Sequence, residues 1–333
     1  MASKRSTTPR ILTIIGVIAV IAIIALVLPR LNKKPAVTKI GITQIVEHSA
    51  LDASREGFIQ RLAELGLEDG KNVEYVVQNA QGDMSIAQSI AAKFVSENMD
   101  LILAIATPAA QAVANATKDI PIVVTAVTDP VAAGLINSID KPGCNVTGTS
   151  DLTPVQKQLE LLKRILPEAE QVGVIYNAGE TNSLVQVDLA RETAEMLGFS
   201  LVETTVSSSS GVYEAAQSLV GRVDAIYVPT DNTVVSAIES VIKVGEESGI
   251  PIIAGEVDCV RRGALATIGI DYYVLGKQTA DIAFKILEGE KGPEDIPIEY
   301  LDDIQIALNL TAADRIGLLI PQDLIDEAHE VIK

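Results

Sequence analysis

The sequence predicts an α/β protein of two doubly wound parallel-sheet lobes joined by hinge strands, with an N-terminal transmembrane helix ahead of them. From residue 37 onward, short apolar runs alternate with loops and amphipathic helices, the pattern of βαβ units and parallel sheets. The pattern recurs at a long period. Lys39-Ile-Gly-Ile is echoed by Gln171-Val-Gly-Val 132 positions on, and Asp100-Leu-Ile-Leu-Ala by Asp224-Ala-Ile-Tyr-Val after 124. Ile120-Pro-Ile-Val-Val returns as Ile250-Pro-Ile-Ile-Ala after 130. Three similar offsets in order imply two similar lobes facing each other across a cleft. The 333 residues, 48% of them hydrophobic, suffice for two domains with sizeable cores.

The first element is the run Ile11 to Leu28, eighteen uncharged residues, apolar except for Thr13 and Gly16. At 1.5 Å per residue such a helix just spans a bilayer core of about 30 Å. Basic residues precede it, Pro29 and Arg30 follow it, and no A-x-A cleavage site succeeds it, so residues 1–36 read as a cytoplasmic tail, an uncleaved signal-anchor and a linker. That reading puts the binding domain on the extracytoplasmic side of a cell membrane, crossed once. Residues 37–150 then form lobe I and 151–269 lobe II. Residues 270–302 return to lobe I, and 303–333 are assigned to lobe II. Hinges are expected at Ser150–Pro154 and Ile270–Tyr273.

Charge excludes one class of partner. With 44 Asp+Glu against 26 Lys+Arg the formal charge is -18, and because residues 1–34 hold six basic residues and no acid, the remainder is more acidic still. A phosphate backbone would be repelled, so nucleic acid is not the partner. Two Cys and two His, without C-x-x-C or paired His, exclude a structural zinc site and a disulfide scaffold. His48 has no second His beside it and is not read as a metal ligand.

In doubly wound sheets, ligands bind at the carboxyl ends of the strands. There the sequence places Gln44-Ile-Val-Glu47-His48, then Thr107-Pro108, then Thr128-Asp129-Pro130 in the first lobe. The second lobe supplies Tyr176-Asn177 with Glu180, Asn182 and Ser183, then Thr230-Asp231-Asn232, then Glu256. Thr107 and Ser183, at helix starts with free N–H groups and a partial positive charge, suit a carboxylate. Asp129, Asp231 and Glu256 suit an ammonium group across the cleft. Together they describe a zwitterion site, although each alone is also what ordinary N-capping would use.

Enzyme and cofactor motifs fail. No G-x-G-x-x-G follows the first strand, so no dinucleotide cofactor is expected. Gly276-Lys277-Gln278-Thr279 lacks the earlier Gly and the hydroxyl residue directly after Lys that a P-loop needs. There is no G-x-S-x-G, and Cys144 lies in a turn without a nearby His, so no enzyme activity is expected.

Several longer stretches resemble extracytoplasmic solute-binding proteins of ABC transporters, in the tryptophan- and tyrosine-binding branch. They are Ile42-Thr-Gln-Ile-Val-Glu-His-Ser-Ala-Leu-Asp52, Asn79-Ala-Gln-Gly-Asp83, Ala104-Ile-Ala-Thr-Pro-Ala-Ala-Gln111, Ala126-Val-Thr-Asp-Pro130 and Asn145-Val-Thr-Gly-Thr-Ser-Asp151. Tyr176-Asn-Ala-Gly-Glu-Thr-Asn-Ser183, Pro229-Thr-Asp-Asn232 and Ile270-Asp-Tyr-Tyr273 continue the likeness through the second half. The resemblance implies the type I periplasmic-binding-protein fold and delivery of a captured solute to a permease and, through it, an ATPase subunit. The expected solute is a small zwitterion, an amino acid with an aromatic side chain favoured. By position, the resemblance points to Gln44, Glu47, Thr107, Asp129, Ser150, Asp151, Tyr176, Asn177, Asn182, Ser183, Asp231 and Glu256 as pocket residues. The chain departs from relatives that carry a lipobox Cys near the N-terminus. The competing reading is a membrane-anchored sensing ectodomain of the same fold, acting through a partner protein.

Overall fold

The structure, a computed structural model, describes residues 37–333. Lobe I is built on a six-stranded sheet in the order β2 (Val73–Asn79), β1 (Thr38–Gln44), β3 (Leu101–Ile105), β4 (Ile122–Val127), β5 (Val146–Ser150) and β11 (Glu299–Tyr300). Lobe II has seven strands: β7 (Ser200–Thr205), β6 (Gln171–Tyr176), β8 (Ala225–Val228), β9 (Ile252–Ala254), β10 (Ala266–Gly269), β12 (Gln305–Asn309) and β13 (Glu330–Ile332). The echoed segments form β1 and β6, β3 and β8, β4 and β9, which hold equivalent places in the two sheets. The central strands β3, β4 and β8 are buried along their whole length, as sheets covered by helices on both faces require.

Two expectations need adjustment. The lobes are not wholly parallel, because β12 runs antiparallel to β10, with Ala266 opposite Leu308 and Gly269 opposite Gln305. The chain reaches β12 directly from lobe I, without the crossover helix that would have turned it parallel. The expected transmembrane helix lies outside the described residues; among residues 37–333 no helix is long and apolar enough to cross a membrane.

Helices α1 (Ser49–Glu64), α2 (Met84–Ser96) and α3 (Thr107–Ala116) cover lobe I. Lobe II carries α4 (Val155–Ile165), α5 (Thr181–Leu197), α6 (Val212–Gln217), α7 (Asn232–Val235), α8 (Ile238–Ser248) and α9 (Val257–Arg262). The chain then returns to lobe I as α10 (Tyr272–Leu287) and β11, which pairs with β5, and crosses again to β12, α11 (Leu310–Arg315), α12 (Gln322–Glu327) and β13. Three segments therefore link the lobes: 151–154, 270–271 and 301–304. Ile40, Phe58, Phe94 and Leu103 centre the lobe I core, whereas lobe II holds separate clusters, one of them around Ile226 and Val241 and another around Leu159, Val174 and Tyr227.

The return of α10 to lobe I depends on two glycines. A Cβ on Gly57 would stand 2.1 Å from the Tyr273 carbonyl oxygen, and one on Gly276 would stand 2.0 Å from the Ser54 carbonyl oxygen. The two helices thus touch backbone to backbone, and neither contact has a flexible side chain to give way. Gly57→Ala and Gly276→Ala are each expected to destabilise the protein by about 1–3 kcal/mol through overpacking. Urea unfolding should show this as a lower midpoint at unchanged slope.

Candidate functional site

The carboxyl ends of β1, β3 and β4 face those of β6, β8 and β9 across the cleft, and among the helices that open there four lack a side-chain cap. Their N-cap residues are His48 for α1, Ala106 for α3, Glu180 for α5 and Glu256 for α9, and none makes a side-chain capping bond. By contrast, Asp83, Asp271 and Asn309 cap α2, α10 and α11 with side-chain bonds to first-turn N–H groups. Those four helices therefore start without a side-chain cap on their first N–H groups, whereas α7, which opens there after β8, has its first N–H groups bonded by Asp231 and Glu180.

The lobe II wall is a filled polar network. Asp231 is fully buried; it accepts from the Asn177 N–H at 2.6 Å, the Ser183 hydroxyl at 2.6 Å and the Val234 N–H at 2.8 Å. Glu180 accepts from Asn182 Nδ2 at 3.1 Å and Asn232 Nδ2 at 2.5 Å, and from the Thr233 hydroxyl at 2.8 Å. Burial, reinforced by the Glu180 charge, pushes the Asp231 carboxyl up to about 7. Asn177 is held in the same network, donating to Thr233 Oγ1 at 2.9 Å.

Against this background, a few buried atoms have no partner. Near the strand ends they are, on lobe I, Thr43 Oγ1, Thr107 Oγ1 and both ring nitrogens of His48, and on lobe II, Asn182 Oδ1 and Glu256 Oε2; Tyr75 Oη, Thr153 Oγ1 and Gln278 Oε1 are unpartnered elsewhere. Thr107 is 1% exposed, Asn182 3% and Glu256 3%, so bulk solvent does not reach them. Burial holds the His48 ring down at about 4, with Asn232 of the opposite lobe beside it. Burial also raises the Glu256 carboxyl well above its ordinary value, and the Asp258 and Asp151 charges add to it. The two sides differ in chemistry: the hydroxyls of lobe I can donate or accept and the neutral His48 ring offers one donor and one acceptor, whereas the amide oxygen of Asn182 on lobe II only accepts.

The two walls are in contact. Gln111 Nε2 approaches Thr181 Oγ1 at 3.4 Å, and Gln186 Nε2 approaches Thr128 Oγ1 at 3.4 Å, both across the cleft. A cavity of about 640 Å³ remains on the side away from the linkers. Ile45, Val46, Met84 and Pro108 line it from lobe I, and Asn177, Glu180, Ser208 and Asn232 from lobe II. Among the described residues, no group of three His, Cys, Asp or Glu stands close enough together to hold a metal ion.

Other expected pocket residues lie elsewhere or are occupied. Tyr176 shares the strand face of Val172 and Val174, so its ring packs in the lobe II core and its hydroxyl donates to Glu203 at 2.8 Å. It offers no platform in the cleft. Glu47 is exposed and outside the cavity wall. Gln44 is buried but consumed locally, donating to Val46 O and Asp52 and accepting from Arg55. Asp129 accepts the Val131 and Ala132 N–H groups at 2.9 Å each, an ordinary capping role. Asp231 and Ser183 satisfy each other, so the ammonium and carboxylate expected there have no free atom on those side chains. Ser150 donates to Thr128 O at 2.7 Å, and Asp151 accepts from Thr128 at 3.0 Å and Tyr272 at 2.8 Å, which ties two linkers together.

The sequence reading passed over Thr43 and Gln186. Gln186 is fully buried and lies three and four residues after Ser183 and Asn182, on the same helix face, so helical periodicity pointed to it. Thr43 was a polar residue inside an apolar strand.

The family model described as "ABC transporter substrate binding protein" matches residues 39–332. A protein of Clostridioides difficile named tyrosine-binding protein is 52% identical over 281 residues, 84% of this chain and 81% of its own length. The solved structure of an ABC domain from Streptococcus pneumonia in complex with L-Trp superposes with a TM-score of 0.86 at 36% identity, covering 89% of this chain and 99% of that one. The ligand-free, open structure of a substrate binding protein with adhesive properties from Clostridium difficile gives 0.67 at 49% identity, covering 89% and 100%.

Asp231 and His48 predict opposite pH dependences of stability. The native Asp231 carboxyl titrates at about 7, above its ordinary 3.8, so its contribution is complete below about pH 4 and is lost as pH rises through 7. The native His48 ring titrates at about 4, below its ordinary 6.5, so its contribution is complete above pH 6.5 and is lost as pH falls through 4. In denaturant titrations, Asp231→Asn should remove a slope of up to about 1.4 kcal/mol per pH unit between pH 4 and 7. His48→Gln should instead flatten the loss on the acid side.

Proposed function

Because the chain belongs to the ABC transporter substrate binding protein family, whose members bind solutes and are not enzymes, we propose that it captures an amino acid with an aromatic side chain for an importer. The observation that carries this reading is the split of unpartnered atoms between the lobes. An amino acid carries one acceptor group and one donor group a few ångströms apart. Its carboxylate suits the Thr107 hydroxyl, the His48 ring and the first N–H groups of α3; its ammonium suits Asn182 Oδ1 and Glu256 Oε2. Neither wall alone meets both ends, so the ligand favours the arrangement in which the walls are close.

The names of the relatives favour tyrosine or tryptophan as the ligand class. The side chain would extend into the interlobe cavity, where Ile45, Val46, Met84 and Pro108 form an aliphatic wall and Ser208 and Asn232 a polar one. A thioether beside an aromatic ring is a favourable contact. An ammonium beside Glu256 would favour the charged form of a carboxyl whose proton affinity burial raises. The lobe contacts and the lower TM-score to the open relative, despite its higher identity, describe a closed disposition of the lobes. Alternation with an open form about the three linkers, delivery to a permease and its ATPase, and a transmembrane anchor at Ile11–Leu28 that holds the binding domain on the extracytoplasmic side complete the proposal.

A thermal-shift panel of the twenty amino acids on the purified chain tests it. L-Tyrosine or L-tryptophan at a hundred times its dissociation constant should stabilise the protein by about 2.7 kcal/mol. No shift with any amino acid would sink the reading. Glu256→Gln is expected to weaken the affinity by roughly 10–100-fold in calorimetric titration, the loss of one bond between charged groups. Thr107→Val should cost less, about tenfold.

A further inference from the structure

Two buried residues at the cleft have backbones that side chains other than glycine rarely adopt. Ala106 has φ 76° and ψ 152°, and Ala126 has φ 54°. They end the neighbouring strands β3 and β4, and the Ala106 N–H donates to the Thr125 carbonyl at 3.0 Å, one residue before Ala126. Both are almost or wholly excluded from solvent, at 0% and 5% exposure. Such conformations are unfavourable for alanine and persist only where the surroundings over-determine them.

The surroundings do so in both cases. At Ala126 the pairing of β4 with β5 slips: Val124 faces Gly148 but Val127 faces Ser150, three residues against two. This is a bulge of one residue on β4, and it changes the face to which the following side chains turn. The Thr125 hydroxyl is held by Ser54 at 2.9 Å and Thr149 at 3.3 Å, which pins the bulge from α1 and β5. Immediately after the bulge, the Thr128 hydroxyl bonds Asp151 in a linker and approaches Gln186 of lobe II. Immediately after Ala106, the Thr107 hydroxyl is buried without a partner, and Pro108 and Gln111 of the same helix line the cavity.

We infer that Ala106 and Ala126 are positioning residues: their left-handed backbones aim Thr107 at the ligand and Thr128 at the linker and the opposite lobe. The inference rests on the cleft being the amino-acid site. The bulge and the hydrogen bonds around Thr125 impose these angles on alanine, whereas glycine reaches them without strain and many others besides, so it is less restrained there. The turn is therefore set before the ligand arrives, and binding does not have to order it.

Ala106→Gly and Ala126→Gly in the full-length chain separate this role from simple packing. Relief of strain should leave the melting temperature of the ligand-free protein no lower than that of the wild type. Affinity for L-tyrosine or L-tryptophan, whichever binds the wild type, should fall about threefold or more in each variant, the extra cost of ordering glycine over alanine. In a Thr107→Val background, Ala106→Gly should lose most of its effect, since the two changes then remove the same contact. An affinity within about twofold of wild type, a lowered melting temperature, or full additivity with Thr107→Val would each overturn the positioning role while the amino-acid reading stands. A wild type that binds none of the twenty amino acids would overturn both.

Discussion

A hydrogen-bonding atom shut away from water without a partner is costly, and this protein keeps such atoms on both walls of one cleft. Thr107 Oγ1 and the His48 ring stand on one side, Asn182 Oδ1 and Glu256 Oε2 on the other. Their neighbours are satisfied: Asp231, Glu180, Gln186 and Thr230 bond one another or nearby backbone. The contrast matters because a partly satisfied polar cluster in a packed interior is destabilising unless something completes it. The cleft is thus a polar frame with a small set of open hydrogen-bonding positions, and the proposed amino acid would complete some of them.

The frame depends on chain topology. Two similar sheets point their carboxyl strand ends at each other, which brings the uncapped starts of α1, α3, α5 and α9 to one place. Three crossings join the lobes, and the Asp151–Tyr272 bond fastens the first to the second. The glycine contacts between α1 and α10 anchor the returning segment to lobe I. Under the proposed function, a ligand held by both walls would act on those linkers through its differential affinity for the closed arrangement.

Individual residues were legible in the sequence to the degree that their roles are local. Thr107, Asn182 and Glu256 follow strands at helix starts, a grammar readable from spacing, and they retain free atoms in the cleft. Asp129 and Asp231 obey the same grammar, but their oxygens are filled by backbone N–H groups and Ser183. Spacing cannot distinguish a capping carboxylate from a free one, because the difference lies in which donors fold back onto it. Tyr176 was misplaced for a related reason: alternation along β6 turned its ring to the core beside Val172 and Val174.

What the sequence determined by itself was the two-lobe α/β plan, written in periodic burial and in a repeat of strands that each need covering on both faces. It also determined the acidic balance and the absence of nucleophile and cofactor motifs, which are properties of composition and short-range order. Tertiary structure alone decided that β12 runs antiparallel, that a bulge turns β4 at Ala126, and that Gln186 reaches across to Thr128. Only there, too, was it decided which cleft atoms stay unpaired. Those outcomes depend on contacts between residues tens to hundreds of positions apart, whose geometry no local pattern encodes.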